Sequence, residues 1–155
     1  MNYKGHAGLT LTTLSLISII YGVKSSWWTT LIIFSTAFSS IPDIDLRFEI
    51  PHRKYTHNIF FILVLSMAFG VVTAYVISDF TLGFLAIFLG GTLHVFGDLM
   101  TYMSFCPLCP IYRRSLALRL FKSNNSLINN ALLLIGISAF VAVSYTHLRA
   151  HETSL

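Results

Sequence analysis

Charge is what this sequence has least of. Lys, Arg, Asp and Glu make up 10% of its 155 residues, where a soluble domain carries about 25%. That shortage excludes a disordered chain, a nucleic-acid-binding tail and an ordinary water-soluble enzyme. Acids are scarcer than bases, 6 against 10, which leaves a net charge of +4. Cysteine is almost absent: Cys106 and Cys109 are the 2 residues of that type, too few for a secreted disulfide scaffold. Internal repeats, low-complexity segments and a soluble second domain are missing as well. What the chain does have is apolar surface. Hydrophobic residues make up 55% and mean hydropathy is +0.73. The length suits one domain, and the composition predicts an all-α polytopic membrane bundle.

Five apolar stretches carry that prediction: Ala7–Val23, Trp27–Ile41, Ile59–Ile77, Phe80–Gly97 and Leu127–Val143. A membrane span needs roughly 20 residues, with about 17 as the lower limit. The third stretch meets this comfortably, the first and fourth adequately, and the second is short. Trp27 and Trp28 suit an interfacial aromatic anchor. No small-x-small cleavage site follows Ala7–Val23 closely, so it reads as a retained helix rather than a signal peptide. The expectation is about five transmembrane helices.

Loop charges orient them. With five spans, the N-terminus and the 42–58 and 98–126 loops share one side. That side holds Lys4, Arg47, Arg53, Lys54, Arg113, Arg114, Arg119 and Lys122, while Lys24 stands alone opposite. An asymmetry of this size predicts a cytoplasmic N-terminus and cytoplasmic loops.

The residues able to do chemistry fall on that same face. His6 opens helix one, Asp43 and Asp45 follow helix two, His52 and His57 precede helix three, and His94 and Asp98 end helix four. His94 lies inside an apolar span, where an ionisable group is costly and usually faces a partner. His94 and Asp98 are four residues apart, so a helix projects both from one face. An imidazole nitrogen and a carboxylate so placed suit a zinc ion, or else simply bond to each other. Gly90, Gly91 and Gly97 beside them permit another helix to approach closely.

In Ile41-Pro-Asp-Ile-Asp45, Pro42 stops the helix, and two carboxylates one residue apart need a cation or a shared proton. A solvated turn beside Arg47 is the plainer reading. His52-Arg-Lys-Tyr-Thr-His57 is a basic loop at the membrane surface. Its Arg53 and Lys54 suit phosphate oxygens or anionic lipid. Cys106-Pro-Leu-Cys109-Pro is half a zinc site with no second pair. A cytoplasmic face disfavours a stable disulfide there, so a Pro-rich turn is expected. Arg113, Arg114, Arg119 and Lys122 suggest a basic interfacial helix or mere solvation.

Taken together, Gly5-His6, Pro42-Asp43-Ile44-Asp45, His52-Arg53 with Thr56-His57, and Gly91-Thr-Leu-His94 through Asp98 resemble the YdjM-type family of membrane-bound metal-dependent hydrolases. The elements cover residues 5–102 in the family's order. Asn58 stands where the family usually has Ser. The family is in turn similar to zinc-dependent phospholipase C and P1 nuclease. That resemblance implies His6, Asp43, His57, His94 and Asp98 as metal ligands. The later His and the second His-x-x-x-acid motif of those enzymes have no counterpart, so it implies one or two ions, zinc or alternatively manganese. Separately, the run from Val143 to Thr153 resembles a translated sequencing adapter. The membrane-embedded hydrolase domain is therefore expected over 1–142, with 143–155 a non-native tail whose His147 and His151 carry no function.

The leading expectation is hydrolysis of a phosphoester by a metal-activated water at the cytoplasmic membrane face. Asp45 would act as base or orient a ligand, His52 as ligand or leaving-group acid, and Arg53 as charge stabiliser. Membrane lipids, including a phospholipid substrate, are the expected partners, and no nucleic acid is. The rival expectation is a non-catalytic membrane protein with a structural metal site or a metal or proton relay. A scaffold whose basic loops bind anionic lipid is a third.

Overall fold

A computed structural model of the chain describes residues 1–46 and 56–152. Among these, the fold is all-α: α1 (Tyr3–Tyr21), α2 (Ser26–Phe38), a 3-10 turn (Ile41–Leu46), α3 (Ile59–Ile77), α4 (Phe80–Leu99) and α5 (Ser126–Glu152). No strand forms among the described residues. There are only isolated bridges, Thr101 with Phe121 and Phe105 with Leu116.

Short polar side chains set the helix starts by accepting the first free backbone N–H groups. Asn2 caps Gly5 at 3.0 Å, Asn58 caps Phe61 at 2.8 Å and Asp79 caps Leu82 at 2.9 Å. Gly22 ends α1 in the left-handed region with φ 65°, a conformation glycine adopts without steric cost.

Three of the five helices are long and apolar enough to cross a membrane: α3, α4 and the Ser126–Thr146 part of α5. The five expected helices form, and among the described residues these three meet the length and apolarity of a span. The 13 residues of α2 reach only about 20 Å, short of the roughly 30 Å hydrocarbon core. In α1, Lys4, His6, Thr10, Ser15 and Ser18 lower the hydropathy. With α1 and α2 set aside, the start of α3 and the end of α4 still lie at one common face.

Helix α4 is the centre of the bundle. It packs on α1, α2, α3 and the 3-10 turn, while α5 packs mainly on α1. At Gly90 a side chain would collide with the Ser35 carbonyl, so glycine sets the α4–α2 approach. The outer helix α3 leaves Val64, Val71 and Val76 exposed, as a lipid-facing helix does.

Two loop expectations change. Residues 113–122 form no helix. Their backbone is used elsewhere, with Leu118 N–H donating to the Leu99 carbonyl at 2.7 Å and Leu120 N–H to Met100 at 2.9 Å. Cys106 and Cys109 are joined by a disulfide rather than left free in a Pro-rich turn. The turn brings their Cα atoms to 5.5 Å, within ordinary disulfide reach, so local geometry sets the pairing. At its C-terminal end α5 continues through residue 142 to Glu152.

Candidate metal centre

Four side chains from three separate parts of the chain converge at one end of the bundle. Asp43 comes from the 3-10 turn, His57 from the residues just before α3, and His94 and Asp98 from the last two turns of α4. One donor atom from each lies within 4.8 Å of all the others. His57 Nε2 is 3.3 Å from Asp43 Oδ1 and 3.4 Å from Asp98 Oδ2. His94 Nε2 is 3.1 Å from His57 Nε2, 3.5 Å from Asp43 Oδ1 and 3.8 Å from Asp98 Oδ2.

These separations have a chemical meaning. A tetrahedral ion with bonds of 2.0–2.1 Å to nitrogen and oxygen has ligand–ligand edges of about 3.3 Å. Five of the six edges, 3.1 to 3.8 Å, scatter around that value, and all four donors lie within 4.8 Å of one another. Two imidazole nitrogens and two carboxylate oxygens this close need positive charge among them, either a proton or a metal ion. The donor set fits a divalent cation such as zinc.

The surroundings aim the rings. His94 Nδ1 is 2.8 Å from the Ser39 carbonyl, which can only accept, so Nδ1 carries the proton and Nε2 turns its lone pair inward. Thr56 Oγ1 lies 3.0 Å from His57 Nδ1 and holds that ring from behind. Phe105 meets the His57 ring edge-on with centroids 6.1 Å apart. Such outer contacts orient metal-binding imidazoles.

His57, His94 and Asp98 are buried, whereas the Asp43 carboxylate keeps 21% of its exposure and forms the accessible edge. Burial alone would push the Asp43 carboxyl up. Hydrogen bonds from His57 and His94 outweigh it and hold Asp43 well below the usual carboxylate range. At His57, burial pulls the imidazole down, but bonds to Asp43 and Asp98 prevail and raise it above its ordinary 6.5.

His6, the fifth ligand that the resemblance implies, is also brought in but stands outside the four-donor group. Its ring stacks on His94 at 3.6 Å, and its Nε2 lies 3.4 Å from Asp98 Oδ1, the oxygen turned away from the other histidines. The Met1 ammonium group pairs with the same oxygen. Asp45 belongs to the same 3-10 turn as Asp43, and His52 and Arg53 lie outside the described residues. On the far side, Asp79 accepts from Trp27 Nε1 at 2.6 Å while capping α4, so it is engaged in fastening α2 to α4.

Sequence reasoning missed the Ser39 carbonyl, which has no side-chain signal. It also missed Phe105 and the bond from Thr56, whose place directly before His57 was the available clue. A family model described as YdjM inner membrane protein matches residues 1–154. No curated protein and no solved structure matches the chain.

Proposed function

The chain belongs to the YdjM inner membrane protein family, and from that premise we propose that it is a membrane-bound, metal-dependent hydrolase of a phosphoester, working at the cytoplasmic face. The observation that carries this reading is the convergence of Asp43, His57, His94 and Asp98, with one donor atom from each within 4.8 Å of the others.

His57, His94 and Asp98 are the holding ligands, because they are buried and their rings are fixed from behind. A divalent ion held there would lower the pKa of an attached water toward neutrality and draw charge from a phosphoryl oxygen. Asp43, at the accessible edge, would be the fourth ligand, its carboxyl held low enough to serve as an anionic donor rather than as a base. His6 supports the site through its stack on His94 and its contact with Asp98. Asp45, His52 and Arg53 lie between Asp43 and His57 in the chain or beside them. They are proposed for base or orienting duty, leaving-group protonation and phosphoryl charge, in that order.

A second reading has an observation of its own. Four protein donors converge, the number a structural zinc site uses, whereas a catalytic site keeps a position open. A relay across the membrane is less favoured, since Asp79 on the far side is occupied by Trp27 and the α4 cap.

Turnover separates the first two. Zinc-loaded protein is given bis(p-nitrophenyl) phosphate, p-nitrophenyl phosphate and a phospholipid in detergent. The hydrolase reading expects release from at least one, abolished by chelation and restored by added zinc. No release from any substrate by fully metal-loaded protein supports the structural site and overturns the hydrolase.

A further inference from the structure

The loop between α4 and α5 has features that the metal centre does not use. Between Leu99 and Asn125 the sequence holds Arg113, Arg114, Arg119 and Lys122 and no acid. All four cations are exposed. So are large apolar neighbours: Ile111 at 78%, Leu118 at 53% and Leu120 at 63%. Water is a poor solvent for those three side chains, and a hydrocarbon interior is a poor one for the cations. The lipid headgroup zone accepts both, with long basic side chains reaching phosphate and apolar ones entering the acyl boundary.

The loop is not free to leave that zone. Its tip, closed by the Cys106–Cys109 disulfide, receives Ile59 N–H on the Pro107 carbonyl at 2.9 Å, which fastens it to the start of α3. Its middle donates to the Leu99 and Met100 carbonyls at the end of α4. Its exit is held by Asn129 Nδ2, which donates to the Ser123 carbonyl at 3.0 Å at the start of α5. The ends of all three candidate spans are therefore tied to one loop, which must sit at one membrane surface.

Two local details favour a binding surface over mere solvation. Arg119 occupies the left-handed region with φ 55°, a place glycine fills at no steric cost. The chain holds a cation there instead. The Arg114 guanidinium lies over the Tyr112 ring, 5.7 Å from its centroid, which pairs a basic group with an interfacial aromatic.

We propose that the 99–122 loop is a platform for the phosphate headgroups of anionic membrane phospholipids, with Arg113, Arg114, Arg119 and Lys122 as their partners. The platform stands whether or not the His/Asp cluster hydrolyses anything. Through Phe105 and Pro107 it adjoins His57.

Native mass spectrometry of the full chain in neutral detergent tests it, with phosphatidylglycerol and phosphatidylcholine of equal chain length added in equal amounts. Wild type should retain phosphatidylglycerol over phosphatidylcholine by about fivefold or more, the factor one cation near an anionic surface contributes. Raising the salt should shrink the ratio. Replacing all four cations (Arg113→Gln, Arg114→Gln, Arg119→Gln, Lys122→Gln) should bring it near one, whereas Lys24→Gln on the opposite face should leave it unchanged. If the fourfold variant melts abnormally, the Arg113→Gln/Arg114→Gln pair replaces it and should lower the ratio by half or more. A ratio near one in wild type, a ratio indifferent to salt, or a preference that survives the loop substitutions would overturn the proposal.

Discussion

The Nδ1 of His94 donates to the carbonyl of Ser39 at 2.8 Å, and this bond decides which nitrogen of the ring faces Asp43, His57 and Asp98. The carbonyl comes from the residue after α2, so the short second helix acts as a brace for the ligand ring on α4. The metal centre and the α2–α4 packing are thus one arrangement.

The equivalent brace on His57 comes from a side chain and can be removed. Thr56→Val deletes the hydroxyl that holds His57 Nδ1. Zinc affinity, measured by competition with a chromophoric chelator, should fall about ten- to hundredfold, the usual cost of losing an orienting partner. Thr56→Ser should restore most of it. Equal losses in both variants would mean that packing, not the hydroxyl, matters.

Metal and protons compete for the same atoms. His57 is raised above 6.5 in the metal-free protein, so it contributes stability fully below that value and loses it as pH rises through the folded pKa. Binding an ion requires neutral imidazole. Zinc affinity should therefore climb as pH rises from about 6 to 8, with proton release visible in weakly buffered calorimetry. Asp43, held low, stays ionised across that range and adds no slope of its own. A flat affinity profile would remove His57 from the ligand set.

Gly90 offers a test of the bundle itself. A Cβ there meets the Ser35 carbonyl, part of α2's backbone, which cannot step aside as a flexible side chain would. Gly90→Ala should lower stability by about 1–3 kcal/mol, read as a lower melting temperature in detergent. Gly22→Ala meets nothing nearby and suffers only its left-handed φ of 65°, a loss of roughly 1–2 kcal/mol. A Gly90→Ala protein as stable as wild type would contradict the close α2–α4 contact.

The loop disulfide makes a prediction of a simpler kind. Protein purified without reductant should take up no maleimide at Cys106 or Cys109, then two after reduction, as read by intact mass. Immediate labelling of both would show the thiols free.

Legibility followed the physics of each segment. Helix α3 is readable to the residue because a strongly apolar run with no charged residue lies between Asn58 and Ser78, both of which act as caps. The start of α1 is less so. Lys4 and His6 resemble a polar lead-in, yet Asn2 caps a helix that contains them. That His6, Asp43, His57, His94 and Asp98 share one end of the bundle was legible from apolar runs, Lys/Arg asymmetry and the four-residue spacing of His94 and Asp98. The separation of His6 from the four-donor group was not, since it depends on which oxygen of Asp98 each ring meets. Residues 113–122 misled because their charges suit an interfacial helix, while their backbone N–H groups serve the open carbonyls at the end of α4.

Metal content tests the central claim most directly. The full chain, with His57→Ala and Asp98→Ala beside it, is loaded with zinc or manganese, desalted and read by elemental mass spectrometry. The account predicts at least one divalent ion per wild-type chain and loss in both variants. Folded wild-type protein that retains no stoichiometric metal after either loading would contradict it.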